Sequence, residues 1–273
     1  MSGLSLAQAL ERAKREGESG NFDAADKTLK AILAAVPGQP QALQMLGLIA
    51  LEEGRNNMES ALARLARIGI APRQILDIGA YEGWWSRLAR KVFPQAGILM
   101  IEAQDAKKST LEAVAKEIGT AKVRIAALGA EAGREVEFLI PETPFGTTGS
   151  SIYAERTDFK RKASKVRLER LDDLVAGSPP AELLKLDVQG SELDILKGGP
   201  AALSAAQAVI LEVSLLNYNE GAPLFADIVR FMDEQGFQLL DLVDLQRGKM
   251  SVLYQADAVF LRRGIAQFPN KVW

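Results

Sequence analysis

The chain has 273 residues, and its 33 Lys and Arg residues nearly balance 35 Asp and Glu residues, giving a formal net charge of -2 at pH 7. That length allows one large domain or two smaller ones, and the balanced charge gives no basic surface of the kind that nucleic-acid-binding domains carry. The sequence contains no His and no Cys, which excludes a histidine base, a Ser-His-Asp triad, thiol catalysis and the commonest zinc ligands.

The sequence also lacks the usual signals for membrane insertion and export. No stretch approaches about 18 consecutive apolar residues. Residues 1–20 are amphipathic and charged, without an apolar core followed by a cleavage site. We therefore predict a cytoplasmic protein that has no membrane span and no nucleic-acid partner.

Residues 1–68 are predicted to be entirely helical. Ser5 and Gln8 have the spacing of a capping box at the start of the first helix. A second helix is expected over residues 22–36 before Pro37, a third over 40–53 with Pro40 in its first turn, and a fourth over 58–67. This segment forms the first of two predicted domains.

Two features of the helical segment return after 34 positions. Gly20-Asn21 returns as Gly54-Arg55, and Ala13 returns as Gly47. This interval is the tetratricopeptide period, so the segment resembles that repeat family over two helix pairs. Two interpretations stay open, a repeat that binds a protein partner and a four-helix cap that packs on the next domain.

From Arg73 onward, strand and helix patterns alternate. Such alternation predicts a mostly parallel sheet whose ligand sites lie at the carboxyl ends of the strands. The expected strands cover residues 74–78, 97–101, 122–128, 183–188, 209–213, 237–242 and 256–261, and the expected helices cover 84–92, 106–118, 192–203 and 223–235. Residues 69–273 form the second predicted domain.

One long insertion separates the third and fourth of these strands. Residues 135–140, 150–153 and 165–168 are predicted to be β segments around a loop rich in Pro, Gly and Thr at residues 141–149. Because the insertion is too long for a simple connection, we expect it to be functional.

A glycine-rich loop follows the first strand. Asp77, Gly79 and Gly83 stand where the strand ends and the next helix begins. The pattern lacks the third glycine of a dinucleotide fingerprint and the Lys-Ser/Thr pair of a phosphate loop. An acidic strand end suits a cationic ligand such as the sulfonium of S-adenosylmethionine, and we expect the glycines to let that ligand approach the backbone closely.

Glu102 ends the second strand, 19 positions after Gly83. In nucleotide sites an acidic side chain at this place accepts hydrogen bonds from the ribose hydroxyls. Asp77 and Glu102 therefore lie at carboxyl strand ends in consecutive β-α units, which strengthens the prediction of a cofactor site there.

Several motifs occur in an order that resembles one family. They are Asp77-Ile-Gly-Ala-Tyr-Glu-Gly-Trp-Trp-Ser86, Ile101-Glu102-Ala103, Lys185-Leu-Asp-Val-Gln-Gly-Ser-Glu192 and Leu211-Glu212-Val213. Over residues 70–263 the chain resembles the FkbM-type family of S-adenosylmethionine-dependent methyltransferases. It departs from the family at Tyr81, where a small polar residue is common, and at Gln189, where Glu is frequent.

The resemblance implies an α/β, Rossmann-like class I methyltransferase fold with a mostly parallel sheet and an antiparallel late strand, preceded by the small tetratricopeptide-like domain. It implies methyl transfer to oxygen, with S-adenosylmethionine as the cofactor and a small-molecule or glycan acceptor such as a carbohydrate or natural product. The cofactor-binding residues it implies are Asp77, Gly79, Ala80 and Gly83 at the methionine end, Glu102 at the ribose, Ala127 and Leu128 beside the adenine, and Asp187 near the reactive methyl.

The chemistry has to proceed without histidine. A hydroxyl acceptor benefits from a general base, and the candidates are Asp187, Glu192 and Glu212, with Asp187 preferred and Lys185 behind them. A divalent metal bridging these carboxylates stays an alternative, although no ligand spacing indicates one.

Two other functional interpretations also stay open. One is a methyltransferase-like protein without turnover that acts as a binding or scaffold protein through its N-terminal helices. The other is a nucleotide-dependent oxidoreductase, which the glycine spacing disfavours.

Overall fold

The computed structural model describes residues 4–19, 21–52, 56–143, 146–156 and 159–265. Its first four helices are α1 (Leu6–Glu18), α2 (Phe22–Ala35), α3 (Pro40–Glu52) and α4 (Met58–Arg67). The predicted capping box starts α1, since the Gln8 N–H donates to Ser5 Oγ at 3.3 Å and the Ser5 N–H donates to the Gln8 side chain at 2.8 Å. The all-helical prediction for this segment is confirmed over the described residues.

The four helices pack as α1 on α2, α2 on α3 and α3 on α4. Ala13, one of the small residues of the 34-residue pattern, is buried in the cluster formed by α1, α2 and α3. Gly20 and Gly54-Arg55, the other pair of that pattern, lie outside the described residues. The tetratricopeptide-like assignment stays a prediction.

Strands and helices alternate through the rest of the chain. The main sheet contains β1 (Gln74–Ile78), β2 (Gly97–Glu102), β3 (Ala121–Ile125), β7 (Leu183–Leu186), β8 (Ala208–Ser214), β9 (Phe237–Arg247) and β10 (Leu253–Arg262). The helices are α5 (Trp84–Val92), α6 (Lys108–Ile118), α7 (Leu171–Leu174), α8 (Glu192–Lys197), α9 (Pro200–Ala205) and α10 (Phe225–Glu234).

The main sheet has the order β3-β2-β1-β7-β8-β10-β9. The first five strands in that order run parallel, and β10 is antiparallel to both β8 and β9. A mostly parallel sheet with an antiparallel late strand is therefore confirmed. Strand order reverses between β1 and β7, which is where open α/β sheets bind ligands.

A second sheet of three strands forms the insertion. It contains β4 (Ala127–Leu128), β5 (Glu135–Pro141) and β6 (Arg161–Glu169), in the order β4-β6-β5. The strand expected over residues 150–153 was wrong, because Ser151 makes only an isolated bridge to Leu139. The strand expected over residues 122–128 divides at Ala126, so that its two parts join different sheets.

The single helix expected over residues 192–203 is two helices, α8 and α9. Gly198 and Gly199 separate them, and Pro200 occupies the first turn of α9. A Cβ on Gly198 would lie 2.2 Å from the Gly129 carbonyl oxygen, so the break lets the chain approach that loop. Gly198-Gly199-Pro200 is a local signal for a helix break that the expectation of a single helix overlooked.

Each face of the main sheet has its own hydrophobic cluster. α8, α9 and α10 cover one face around Leu184 and Leu211, and α4, α5 and α6 cover the other around Ile75 and Ile210. Leu62 of α4 is fully buried in the second cluster, where each such side chain stabilises the fold by about 1.5–3 kcal/mol. The division at residues 68 and 69 stays a prediction, and the core crosses it through α4.

A hydrogen bond and an ion pair also connect α4 to the edge strand β9. The Met58 N–H at the start of α4 donates to Asp244 Oδ2 at 2.9 Å, and Arg64 pairs with Asp241. Within the described ranges, no helix combines the length and apolar character that crossing a membrane requires.

Candidate active site

A cavity of about 390 Å³ lies at the carboxyl ends of β1, β2 and β7. Its size is within the range of small-molecule sites. Six of the residues predicted to bind a cofactor line it, namely Gly79, Ala80, Glu102, Ala127, Leu128 and Asp187. Four other predicted site residues do not line the cavity, namely Asp77, Gly83, Glu192 and Glu212.

Asp77 is fully buried and joins β1 to α5. Its Oδ2 accepts a hydrogen bond from Ser86 Oγ at 2.6 Å, and its Oδ1 has no hydrogen-bond partner among the described residues. Burial raises the pKa of Asp77, and the nearby Lys185 ammonium opposes that rise. Asp77 therefore acts on the cavity from behind its wall, through the loop and helix that it holds and through its electrostatic interaction with Lys185 and Asp187.

The two loop glycines are required by contacts within the protein. Gly79 has φ +80°, and a Cβ there would lie 1.9 Å from the Asp187 carbonyl oxygen. Gly83 has φ +73°, and a Cβ there would lie 2.8 Å from Val114 Cγ1 on α6. The glycines therefore allow close contacts within the protein, between the loops after β1 and β7 and between α5 and α6. A close approach of a ligand to the Gly79 and Gly83 backbone stays a prediction.

Glu102 joins the loops that follow β1 and β2. Its Oε2 accepts from the Tyr81 N–H and its Oε1 from the Gln104 N–H, both at 2.8 Å. Burial raises the pKa of Glu102, and these backbone donors oppose the rise. The Ala103 N–H also interacts with this carboxyl group. Since a carboxylate has about four acceptor positions, one remains for a ligand.

The insertion forms another wall of the cavity through Thr148, Gly149, Ser150 and Ile152. The Thr147 N–H donates to the Tyr81 hydroxyl oxygen at 3.3 Å, which attaches the insertion to the glycine loop. Lys107 Nζ lies 3.8 Å from the centroid of the Tyr81 ring. Sequence reasoning identified Tyr81 as unusual, but the sequence gives no signal for its contact with the insertion.

Asp187 follows β7, and its side chain is 36% exposed. Its Oδ2 lies 2.8 Å from Lys185 Nζ, and its Oδ1 accepts from Gln189 Nε2 at 3.2 Å. Burial pushes the pKa of Asp187 upward, but the Lys185 charge and the hydrogen bonds with Lys185, Gln189 and Glu212 together hold that pKa below its ordinary value. Asp187 is therefore an ionised carboxylate in the wall of the cavity.

Glu212 lies on β8 beside Asp187 but outside the cavity wall. Its Oε2 accepts from Gln189 Nε2 at 2.5 Å. Burial and the neighbouring Asp187 charge raise the pKa of Glu212 well above its ordinary value. Asp257 pairs with Glu212 across β8 and β10, and burial with the Asp187 charge raises the pKa of Asp257 to about 7.

Glu192 is the first residue of α8 and shapes the loop before it. Its Oε1 accepts from the Val188 N–H and its Oε2 from the Gly190 N–H, both at 3.0 Å. Burial raises the pKa of Glu192 to about 7. Among the described residues, no group of three or more carboxylates has an arrangement that could hold a metal ion.

Comparisons with known proteins concern most of the chain. A model of the methyltransferase FkbM domain matches residues 77–239. A solved structure of methyltransferase FkbM from Methylobacillus flagellatus is 15% identical with a TM-score of 0.48, and the match covers 85% of this chain and 57% of that one. The O-methyltransferase TomG from Streptomyces achromogenes, solved in complex with SAM, is 16% identical over 76% of this chain and 79% of that one, with a TM-score of 0.44. No curated protein matches the chain.

Proposed function

The chain belongs to the methyltransferase FkbM domain family, and on that premise we propose that it transfers a methyl group from S-adenosylmethionine to a hydroxyl oxygen of a carbohydrate or natural-product-like acceptor. One observation carries this proposal. A cavity at the switch point of the sheet has in its wall a buried carboxylate at the end of β2, Glu102, and an ionised one after β7, Asp187.

The residues of the cavity suit the chemistry of this cofactor. Ala126, Ala127, Leu128 and Phe138 supply an apolar surface for an adenine ring. The remaining acceptor position of Glu102 suits a ribose hydroxyl, and the negative charge of Asp187 suits a sulfonium. S-adenosylmethionine, when bound, supplies an electrophilic methyl group.

Asp187 has the features of the general base in the proposed reaction. It lines the cavity, is ionised, and has one-third of its side chain exposed for contact with an acceptor hydroxyl. We propose that an Asp187 oxygen takes the hydroxyl proton and later releases it to solvent through the cavity. We propose supporting roles for Glu192 and Glu212, the other candidates, because their oxygens accept hydrogen bonds within the protein and they do not line the cavity.

A transfer assay with a labelled methyl donor tests this proposal. The protein is incubated with labelled S-adenosylmethionine and a panel of sugars and polyhydroxylated aromatic compounds, with and without a chelator, and labelled products are identified by mass spectrometry. We expect an O-methylated product that is insensitive to the chelator. Asp187→Asn should lower the rate by about 10²–10⁴-fold, the contribution typical of a general base.

Asp257→Asn is the matched control, because Asp257 shares the Lys185 neighbourhood but does not line the cavity. Its rate should fall by less than about tenfold, since no proton passes through it. Unchanged turnover in Asp187→Asn would remove Asp187 as the base, and methylation only of nitrogen or carbon acceptors would contradict O-methyl transfer.

A further inference from the structure

Lys185 is a buried ammonium at the centre of a cluster of carboxyl groups. The cluster draws on four strands or strand ends and one helix, and its members influence one another electrostatically. Its carboxyl groups are Asp77 on β1, Asp187 after β7, Glu192 on α8, Glu212 on β8 and Asp257 on β10. Asp77 and Glu192 are buried, and the other three are partly exposed. One ammonium cannot neutralise five carboxylates this close together, so several of these groups have to hold protons.

The ionised member of the cluster is Asp187. Its pKa is lowered by Lys185 against the effect of burial, whereas burial raises the pKa of each of the other four carboxyl groups. Among the five carboxyl groups, Asp187 is the one that lines the cavity, and Lys185 lines it too. The cluster therefore presents an ionised carboxylate and its ammonium partner to a ligand in the cavity.

Gln189 connects the ionised group with its protonated neighbour. Its Nε2 donates to Asp187 Oδ1 at 3.2 Å and to Glu212 Oε2 at 2.5 Å, which uses both hydrogens of the amide. A hydrogen bond between Asp187 and Glu212 further lowers the pKa of Asp187. Gln189 stabilises the Asp187 carboxylate without adding a charge, whereas a glutamate there would add a sixth carboxyl group.

The backbone of Gln189 is held in a conformation that non-glycine residues rarely adopt. Its φ is +57°, in the left-handed region. Its carbonyl oxygen accepts from Ser151 Oγ at 2.7 Å and from Asn219 Nδ2 at 3.3 Å, and both of these side chains are buried. Strain of this kind persists only where surrounding contacts over-determine it, and it concentrates at functional sites.

We propose that Gln189 is a positioning residue whose amide fixes Asp187 and Glu212 as an ionised and protonated pair, with the ionised carboxylate facing the cavity. Its role in turnover rests on the proposed methyl transfer. The protonation pattern itself does not, because it is a property of the protein without ligand.

The test is a pH titration of the Asp187 carboxyl carbon by NMR, on protein labelled with carbon-13 in its Asp side chains. Asp187→Asn identifies the signal. In Gln189→Met, which keeps the length of the side chain but removes both donors, the midpoint for Asp187 should move upward by about 0.5–1 pH unit. Gln189→Glu should move it further, because it replaces a donor with a like charge.

Gln246→Met, on the exposed end of β9, is the control and should leave the titration unchanged. An unchanged midpoint in both Gln189 variants would overturn the proposal. If Gln189→Met does not fold, an unchanged midpoint in the isosteric Gln189→Glu alone would overturn it. If the wild-type protein does not bind S-adenosylhomocysteine, the proposed function is contradicted, whereas the titration result remains valid.

Discussion

The two halves of the cavity hold their carboxylates in different ways. In the half formed by the ends of β1 and β2, Glu102 accepts hydrogen bonds from backbone N–H groups of two loops, so its position follows from the path of the main chain. After β7 and on β8, Asp187 and Glu212 are bonded to side chains, namely Lys185 and Gln189. The position of the carboxylate in the first half therefore depends on the shape of the main chain. The positions and protonation of the carboxyl groups in the second half depend on charged and polar side chains.

The largest expected effect comes from the contact between these halves. Gly79→Ala would place a Cβ 1.9 Å from the Asp187 carbonyl oxygen. Overpacking and a left-handed backbone together should lower the free energy of unfolding by about 3 kcal/mol or more, measured by chemical denaturation.

Gly119→Ala is the matched control, because Gly119 has the same φ of +80° but nothing within 4 Å of the new Cβ. It should lose only about 1–2 kcal/mol, the cost of the left-handed backbone. Equal losses in the two variants would show that the halves do not constrain each other at this contact.

The same contrast explains what the sequence could predict. The bounds of β1 and α5 were predicted to the residue, because an apolar run, a glycine loop and a helical pattern are all local signals. Glu102 was placed in the cavity wall by its position at a strand end. Each of these features lies within one β-α unit.

The second half could not be predicted in the same way. The pairing of Glu212 with Asp257 depends on the register of β8 against β10, which joins residues 45 positions apart. The contacts of Gln189 involve β7, β8 and the insertion at once. Sequence motifs named Asp187 and Glu212 but not Asp257, and the protonation of all three follows from tertiary neighbours.

A smaller effect tests the charge dependence of the second half. The pKa of Glu192 is about 7 in the folded protein, and its ordinary value of 4.5 applies to the unfolded chain. Between these two pH values the folded state therefore binds one more proton than the unfolded state. The free energy of unfolding should therefore fall as pH rises through this window, by at most about 1.4 kcal/mol per pH unit from this group.

Glu192→Gln should lack this component of the pH dependence. It should also cost about 1–3 kcal/mol at every pH, because an amide cannot accept from both backbone N–H groups. Denaturation below pH 4.5 and above pH 7 measures the difference between wild type and variant. A difference that stays constant across this window would mean that Glu192 does not carry the proton.

The smallest expected effect concerns the shape-dependent half. Tyr81→Phe removes the hydroxyl that accepts from the Thr147 N–H, while the ring can keep its contact with Lys107. Losing one neutral hydrogen bond of about 1 kcal/mol should weaken S-adenosylhomocysteine binding about fivefold in calorimetric titrations. Tyr254→Phe, which retains the ring that packs on Tyr218, is the control. Equal affinities in wild type and Tyr81→Phe would mean that this bond does not hold the insertion over the ligand.

The central claim is that the cavity at the carboxyl ends of β1, β2 and β7 binds S-adenosylmethionine. Calorimetric titration of the wild-type protein with S-adenosylhomocysteine, and separately with a nicotinamide dinucleotide, tests it most directly. We predict saturable binding of S-adenosylhomocysteine and no binding of the dinucleotide. Binding of the dinucleotide alone, or of neither ligand, would contradict the claim.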